Sequence, residues 1–533
     1  MIQHISYTQT GFFSRLVTDY LQQQDNVQSF YRHPVNIEGV ANAIQSRNYF
    51  PGFRNILVEE LTKQYEGIHL SEELQNNISL LQKATTYTIT TAHQPNIFTG
   101  PLYFIYKILH VIKIVRELKE TFPQYNFVPV YYMGSEDADL EELNNITVQG
   151  KKYTWETTQK GAVGRMLVDD KLLQLINELH GQVGVNSFGE EWINLLKKAY
   201  TKNKTIQQAT LELGNELFGK YGLVILIPDN AALKKTFQPV VEKELLEQFS
   251  EKEVTNTVAR LKEEGYQTQT SGREINLFYL LDDIRERIIL SDGEYLVNNT
   301  EITFTKEQIV EELEVHPERF SANVVLRGVF QETILPNIIF VGGGGELAYW
   351  MELQSVFDKV GVPYPMLILR NSFLLINAKQ AQTIEKLDLS VKQLFLQEFE
   401  ILNGINQKRN QSIDISAEID ALKNIYDTIK NKAQEASSSL TQHTEALLTA
   451  ATHKLEALQQ KISRAQRKSL EAESRQVHDL KEKLFPGNSL QERVENVASL
   501  YSLYGKDIFD ILLHNSLSLQ QQFSILTITN SSD

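Results

Sequence analysis

Three short stretches of this 533-residue chain gather side chains able to do chemistry in water. The first runs from His93-Gln94-Pro95-Asn96 through Thr99-Gly100-Pro101 to Tyr103. Placed between a strand and a helix, it offers free backbone N–H groups and a positive helix end, a seat for phosphate or carboxylate. His93 and Gln94 can donate to such a group, and Thr99 can touch it. The plainer alternative is a βα turn in which Thr99 caps the helix and His93 fills space. The second stretch, Ser135-Glu136-Asp137-Ala138-Asp139-Leu140-Glu141-Glu142, clusters carboxylates that can hold Mg²⁺, bind an amine or act as a general base. Acids at a helix start also favour the dipole, which accounts for Glu141 and Glu142 and leaves Glu136 and Asp137 as the better candidates. The third is Gly342-Gly343-Gly344-Gly345-Glu346 with Tyr349-Trp350. Consecutive glycines let the backbone approach a ligand, and Glu346 beside an exposed aromatic pair suits an amine or a ring. Arg370 and Ser372 follow the next apolar run and can complete a pocket.

Positioning these loops requires strands that end just before them. Thr86–Ala92, Phe127–Met133, Leu223–Ile227, Asn337–Val341 and Pro365–Leu369 are short apolar or β-rich runs alternating with helical patterns, which predicts a doubly wound parallel α/β sheet. In such sheets ligands bind beyond the carboxyl ends of the strands. Residues 1–85 read as an N-terminal helical part of the core and 86–149 as its first half. Residues 150–215 and 251–320 read as insertions around core residues 216–250, the second with a hairpin turning at Asp292-Gly293. Residues 321–379 form the second half, 380–485 a helical coiled coil and 486–533 a return to the core, with one amphipathic helix at Leu490–Tyr501. The coiled-coil reading rests on the four–three spacing of Ile415, Ile419, Leu422, Tyr426, Ile429, Ala433, Ala436 and Leu440. A helix of that length cannot bury its stripe alone, so it needs an antiparallel partner in the chain or in another subunit.

Composition removes other chemistries. There is no cysteine, hence no disulfide, thiolate zinc site, Fe–S cluster or cysteine nucleophile. A net charge of −15 gives no basic footprint for nucleic acid. Gly-x-Ser-x-Gly and His-Glu-x-x-His are absent, and the glycine run fails the dinucleotide fingerprint at Leu347 and lacks the P-loop lysine. The N-terminus has no signal-peptide pattern, and no apolar run approaches the roughly 18 residues of a membrane span. A cytoplasmic enzyme without membrane or nucleic-acid partners is the expectation.

Five ordered motifs then carry a family resemblance. TAHQPNIFTGPLYFIYKI (91–108), MGSEDADLEELNN (133–145), EINLFYLLDD (274–283), SANVVLRGVFQETILPNIIFVGGGGELAYWMELQ (321–354) and LFPGNSLQERVEN (484–496) resemble the BshC family, the cysteine ligases of bacillithiol biosynthesis. The resemblance implies a Rossmann-like core with connecting-peptide insertions and a coiled coil supporting a homodimer. It implies amide formation between the carboxyl of L-cysteine and the amine of glucosaminyl-malate; because a free carboxylate must be activated first, ATP is the expected driver, with Mg²⁺ an option and no metal ligands assigned. It further implies a nucleotide-binding signature at His93-Gln94, and the chemistry of the neighbouring loops extends the candidate nucleotide site to Asn96, Thr99, Gly100, Tyr103, Gly344 and Gly345. Substrate would lie at Asp139, Asn144, Glu346, Tyr349, Trp350, Arg370 and Ser372, with Glu136, Asp137 and His93 as catalytic candidates. This chain departs from the pattern common in the family at Gly344 and Gly328, where many members have proline, and at Ala138, where many have histidine. A nucleotidyltransferase, another amide ligase, or a nucleotide-binding coiled-coil scaffold would fit the same fold.

Overall fold

The alternating apolar runs become five parallel strands. They are β1 (Thr86–His93), β2 (Asn126–Met133), β3 (Val224–Leu226), β4 (Asn337–Gly342) and β5 (Met366–Leu369), in the spatial order β5-β4-β1-β2-β3. The computed structural model describes residues 2–48, 52–269, 272–408, 414–468 and 471–528, without the side chains of 465–468. Strand β1 pairs with β2 from Thr86↔Asn126 to His93↔Met133, and with β4 through Val341↔Thr91. Nearly every residue of these strands is buried, because helices cover both faces of the sheet. Helix α1 (Leu102–Thr121) follows β1, α2 (Ala231–Glu247) follows β3, and α3 (Val324–Ile334) precedes β4. The sequence-derived strand positions agree with the structure to within one residue at each end, as expected for buried runs bounded by turn residues. Asn230 caps α2, accepting from the Leu233 amide at 3.0 Å.

The chain forms two units, each described by itself. The larger comprises 2–374 with 489–524 and contains the parallel sheet. Its second sheet is built on the predicted hairpin, Arg285–Ser291 with Glu294–Val297, extended by Leu277–Leu280, Phe320–Ala322 and Thr303–Phe304. Asp292 and Gly293 both have positive φ, 52° and 85°, as a tight two-residue hairpin turn requires. The expected helix over Leu490–Tyr501 is instead two short ones, Gln491–Val494 and Ala498–Tyr504. They are interrupted where Glu495 is extended and the Asn496 side chain is drawn away to bond Phe98 and Gly100.

The other unit contains 375–488 with the segment from 525. It holds α5 (Glu398–Lys408), α6 (Ser416–Ala436), α7 (Ser439–Lys468) and α8 (Glu471–Leu484). The long heptad stretch is not one rod. Ser437 is extended (φ −164°, ψ 132°), and α6 and α7 fold back on each other. Lys430 pairs with Glu445, and the Ile415 amide donates to Gln459 at 2.9 Å, an antiparallel register. The antiparallel partner required by the apolar stripe is thus supplied within the chain, and Ile415, Ile419, Leu422 and Tyr426 lie half-buried along it. Among the described residues no helix is long and apolar enough to cross a membrane.

Candidate active site

The order β5-β4-β1-β2-β3 reverses direction between β1 and β4, and the crevice beyond those two strand ends is where an open parallel sheet receives ligands. A cavity of about 490 Å³ lies there. Its wall is drawn from the ends of β1 (His93, Gln94) and β2 (Gly134, Asp137), from α1 (Tyr103, Lys107) and from α3 (Arg327). Gly343–Glu346, Tyr349, Arg370 and Arg493 complete it. Helix α4 (Gly344–Met351) opens onto the cavity with two side-chain-free residues, Gly344 and Gly345, in its first turn. The amides of a first turn have no intrahelical acceptor, which favours negative charge nearby, and the Glu346 carboxylate takes the Gly343 amide at this end.

Charge in the cavity is mixed and paired. Asp137 Oδ2 accepts from Gln94 Nε2 at 3.2 Å and from Arg327 Nη1 and Nη2 at 3.3 Å, and Arg285 Nη1 stands 4.0 Å away. Burial alone would raise the Asp137 carboxyl, but Arg327, Arg285 and these hydrogen bonds hold it below the usual carboxylate range. Lys107 is buried in the middle of α1. It donates to the Ala92 carbonyl at 2.8 Å and pairs with Glu346 at 2.5 Å, while Glu346 also accepts from the Gly343 amide at 2.7 Å. Glu346 therefore fixes both Lys107 and the start of α4. Arg370 is buried against Glu492 at 2.7 Å, and its guanidinium lies 5.3 Å from the Tyr103 ring centre.

His93 packs edge-on to Tyr103, and its Nε2 has no hydrogen-bond partner among the described residues. Burial, then Lys107 and Arg370, push its pKa well below the ordinary 6.5, so it is neutral in the fold. Its contribution to stability is complete above the unfolded value and is lost as pH falls below about 6.5, at about 1.4 kcal/mol per pH unit, because only the unfolded chain then takes the proton. Thermal midpoints at pH 7 and 5.5 check this: the acid-induced drop is expected to be smaller in His93→Gln than in the parent.

The structure brings His93, Gln94, Asp137, Tyr103, Gly344, Gly345, Glu346, Tyr349 and Arg370 to one cavity, as the sequence suggested. Other candidates stand elsewhere. Glu136 pairs with Lys234 and accepts from Ser321 Oγ at 2.9 Å, outside the cavity wall. Asp139 is exposed at the start of a short helix, and Asn144 bonds the Trp155 backbone. Ser372 donates to Glu492 at 3.1 Å behind the wall. Trp350 corrects the expectation of an exposed aromatic pair. It is 2% exposed and stacks on Phe340 with ring centres 4.3 Å apart. Gly328 leaves room for that indole, since a Cβ there would lie 3.1 Å from it.

The loop Asn96–Gly100 is likewise not a cradle. The start of α1 is covered by chain: the Leu102 amide donates to the Glu495 carbonyl at 2.8 Å, and Asn496 Nδ2 donates to the Phe98 carbonyl at 2.9 Å and the Gly100 carbonyl at 2.5 Å. Gly100 has φ +63°, and a Cβ there would lie 2.7 Å from the Asn96 side chain. Lys107, Arg327 and Arg493 were missed as cavity residues, although a lysine inside an apolar helix face is itself a sign of a buried partner.

A doubly wound sheet with a polar cavity at its switch point, continued by a helical hairpin region, defines a Rossmann-like enzyme with a coiled-coil C-terminal part. Residues 1–371 match the family model described as the bacillithiol biosynthesis BshC N-terminal Rossmann-like domain, and residues 373–528 match the BshC C-terminal coiled-coil domain. The chain belongs to the BshC family. It is 41% identical to the "Putative cysteine ligase BshC" of Flavobacterium johnsoniae over 98% of this chain and 99% of that one. It is 40% identical to the protein of the same name from Flavobacterium psychrophilum, covering 98% of each. The similarly named Bacillus cereus protein is 26% identical over 99% of this chain and 100% of its own.

Proposed function

We propose that the protein is an ATP-dependent ligase that joins the carboxyl of L-cysteine to the amine of glucosaminyl-malate, the last step of bacillithiol synthesis in the cytoplasm. The observation that carries this reading is the meeting, in one cavity, of an ionised Asp137 with Lys107, Arg327, Arg370, Arg493 and a glycine-lined helix start. The substrates are carboxylates and amines, and the cavity wall carries the opposite charges for both. Names of full-length relatives agree with a cysteine ligase.

An amide does not form from a free carboxylate in water, and ATP, when bound, supplies the leaving group on the cysteine carboxyl. The residues present suit its phosphates. Gly344 and Gly345 bring no side chain of their own to the start of α4, and the buried Arg370 Nε and His93 Nε2 lack hydrogen-bond partners among the described residues. Asp137 holds the amine as its ammonium ion; one proton passes to water to free the lone pair for attack on the acyl carbon, and the remaining N–H proton passes to water as the activated carboxyl loses its leaving group, with Asp137 accepting a hydrogen bond throughout. Lys107, fixed by Glu346 and the Ala92 carbonyl, faces negative charge developing on the acyl oxygen. For Mg²⁺ the donor set is not gathered: among the described residues no three His, Asp or Glu converge. A second copy of the chain would dock through the α6–α7 hairpin, where Ile425, Ile429, Leu447 and Leu458 are exposed.

The test is product mass spectrometry with ATP, cysteine and glucosaminyl-malate, alongside thermal shifts with each ligand. The expected results are a condensed thiol product and a raised midpoint with ATP and with glucosaminyl-malate. Absence of both product and shift would remove the ligase reading.

A further inference from the structure

Beside the main cavity lies a second chamber of about 250 Å³, lined by Asp137, Arg273, Arg285, Arg287, Arg327 and Asn323 among others. Asp137 and Arg327 belong to both walls. Four arginines and a single carboxylate line this chamber. Arg285 and Arg327 both lean on Asp137, at 4.0 and 3.3 Å. Arg285 is otherwise held by neutral groups: it donates to Ser321 Oγ at 3.2 Å and lies 4.0 Å from the Phe278 ring centre. Burial, with Arg327 alongside, pulls its guanidinium down to about 10. Among the described residues neither Arg273 nor Arg287 has an acidic partner at ion-pair distance. Arg285 and Arg287 are two apart on one strand, which turns them to the same face. The start of α3, where the Val325 amide bonds the Asn323 side chain at 2.8 Å, borders the same space. Arg285, the buried one of the four, shares its single ion-pair partner Asp137 with Arg327, so an anion entering this space meets positive charge that is not fully compensated.

We propose that this chamber binds the dicarboxylate arm of the amine substrate, while the main cavity takes cysteine and the nucleotide. The inference rests on the ligase reading above. It differs from a clamp built on Arg370, which lines the main cavity and not this chamber. In a glucosaminyl glycoside the amine and the glycosidic arm sit on neighbouring ring carbons. A substrate with its amine on Asp137 therefore has its malyl arm within reach of the chamber next door. Two carboxylates match in number the two arginines without an acidic partner, Arg273 and Arg287, and suit the bidentate shape of a guanidinium.

The experiment uses the full chain with Arg273 and Arg287, both exposed, replaced together by glutamine. Calorimetric titrations with glucosaminyl-malate, methyl glucosaminide and ATP are compared with the parent, and ligation is assayed in parallel. The expected result is a loss of about tenfold or more in affinity for glucosaminyl-malate, with methyl glucosaminide and ATP moved less than about twofold. Unchanged glucosaminyl-malate affinity would overturn the proposal. Weakened ATP binding with intact glucosaminyl-malate binding would also overturn it and give the chamber to a triphosphate. If the parent protein binds glucosaminyl-malate through these arginines but forms no amide, the ligase reading falls and the chamber assignment stands.

Discussion

Asp137→Asn is expected to lower kcat/KM for amide formation by about 100-fold or more, with the folded protein still able to bind ATP. The substitution keeps the shape and removes the charge. Asp137 is the one carboxylate common to the two chambers, and its neighbours are donors: Gln94, Arg327 and Arg285. An amine arriving as an ammonium ion needs a counter-charge there, and asparagine offers none. The pH dependence is fixed in sign. The carboxyl lies below its ordinary value of 3.8, so its contribution to stability is present above that value and is lost as pH falls through the lowered one. Between about pH 6 and 8 Asp137 stays ionised, and the ratio of parent to variant rates is expected to be flat. Steady-state rates across that range, normalised to folded protein by thermal melting, check both points. A variant within about threefold of the parent would take Asp137 out of the mechanism.

The parts legible in the sequence share a physical cause. Parallel strands buried on both faces are continuous apolar runs, so their ends, and the polar loops just beyond, stand out against them. That is why His93, Asp137 and Gly344–Glu346 were found together. Lys107 was not, because six residues into α1 it reads as an interruption of an apolar face, and only the fold shows Glu346 and the Ala92 carbonyl waiting for it. Arg493 and Glu492 come from a segment more than a hundred residues beyond the last core strand, and no local pattern announces that return. Trp350 stands one turn beyond Glu346, so helical spacing placed both on a ligand-facing side. The void left by Gly328 draws the indole inward instead. At Asn96–Gly100 the pattern of a phosphate loop was present, but its donors and acceptors are taken by Glu495 and Asn496. Sequence showed which residues have the chemistry; long-range chain return decided which of them are free to use it.

Glu492→Gln is expected to destabilise the larger unit by about 3–5 kcal/mol, because it leaves the Arg370 guanidinium buried without a counter-charge. The side chains of Arg370 and Glu492 are 4% and 0% exposed, and Nη2 meets Oε1 at 2.7 Å. Glu492 also accepts from Ser372 Oγ at 3.1 Å and from the Phe373 amide at 3.2 Å. Burial would lower the Arg370 pKa, yet Glu492 more than offsets it and holds the value up. The remaining acceptors around the guanidinium, the Asn371 carbonyl and Ser372 Oγ, are neutral. Glutamine preserves the volume, so the loss measures charge and not packing. The double variant Arg370→Met/Glu492→Met separates stability from function. With both charges gone the desolvation cost also goes, and stability is expected to return to within about 1–2 kcal/mol of the parent. Activity is not expected to return, since Arg370 lines the cavity beside Tyr103 and methionine cannot face an anion there. Urea midpoints and ligation rates on the same three proteins test this. Recovery of both stability and turnover in the double variant would show that Arg370 serves only the fold, and would leave the cavity's anion binding to Lys107, Arg327 and Arg493.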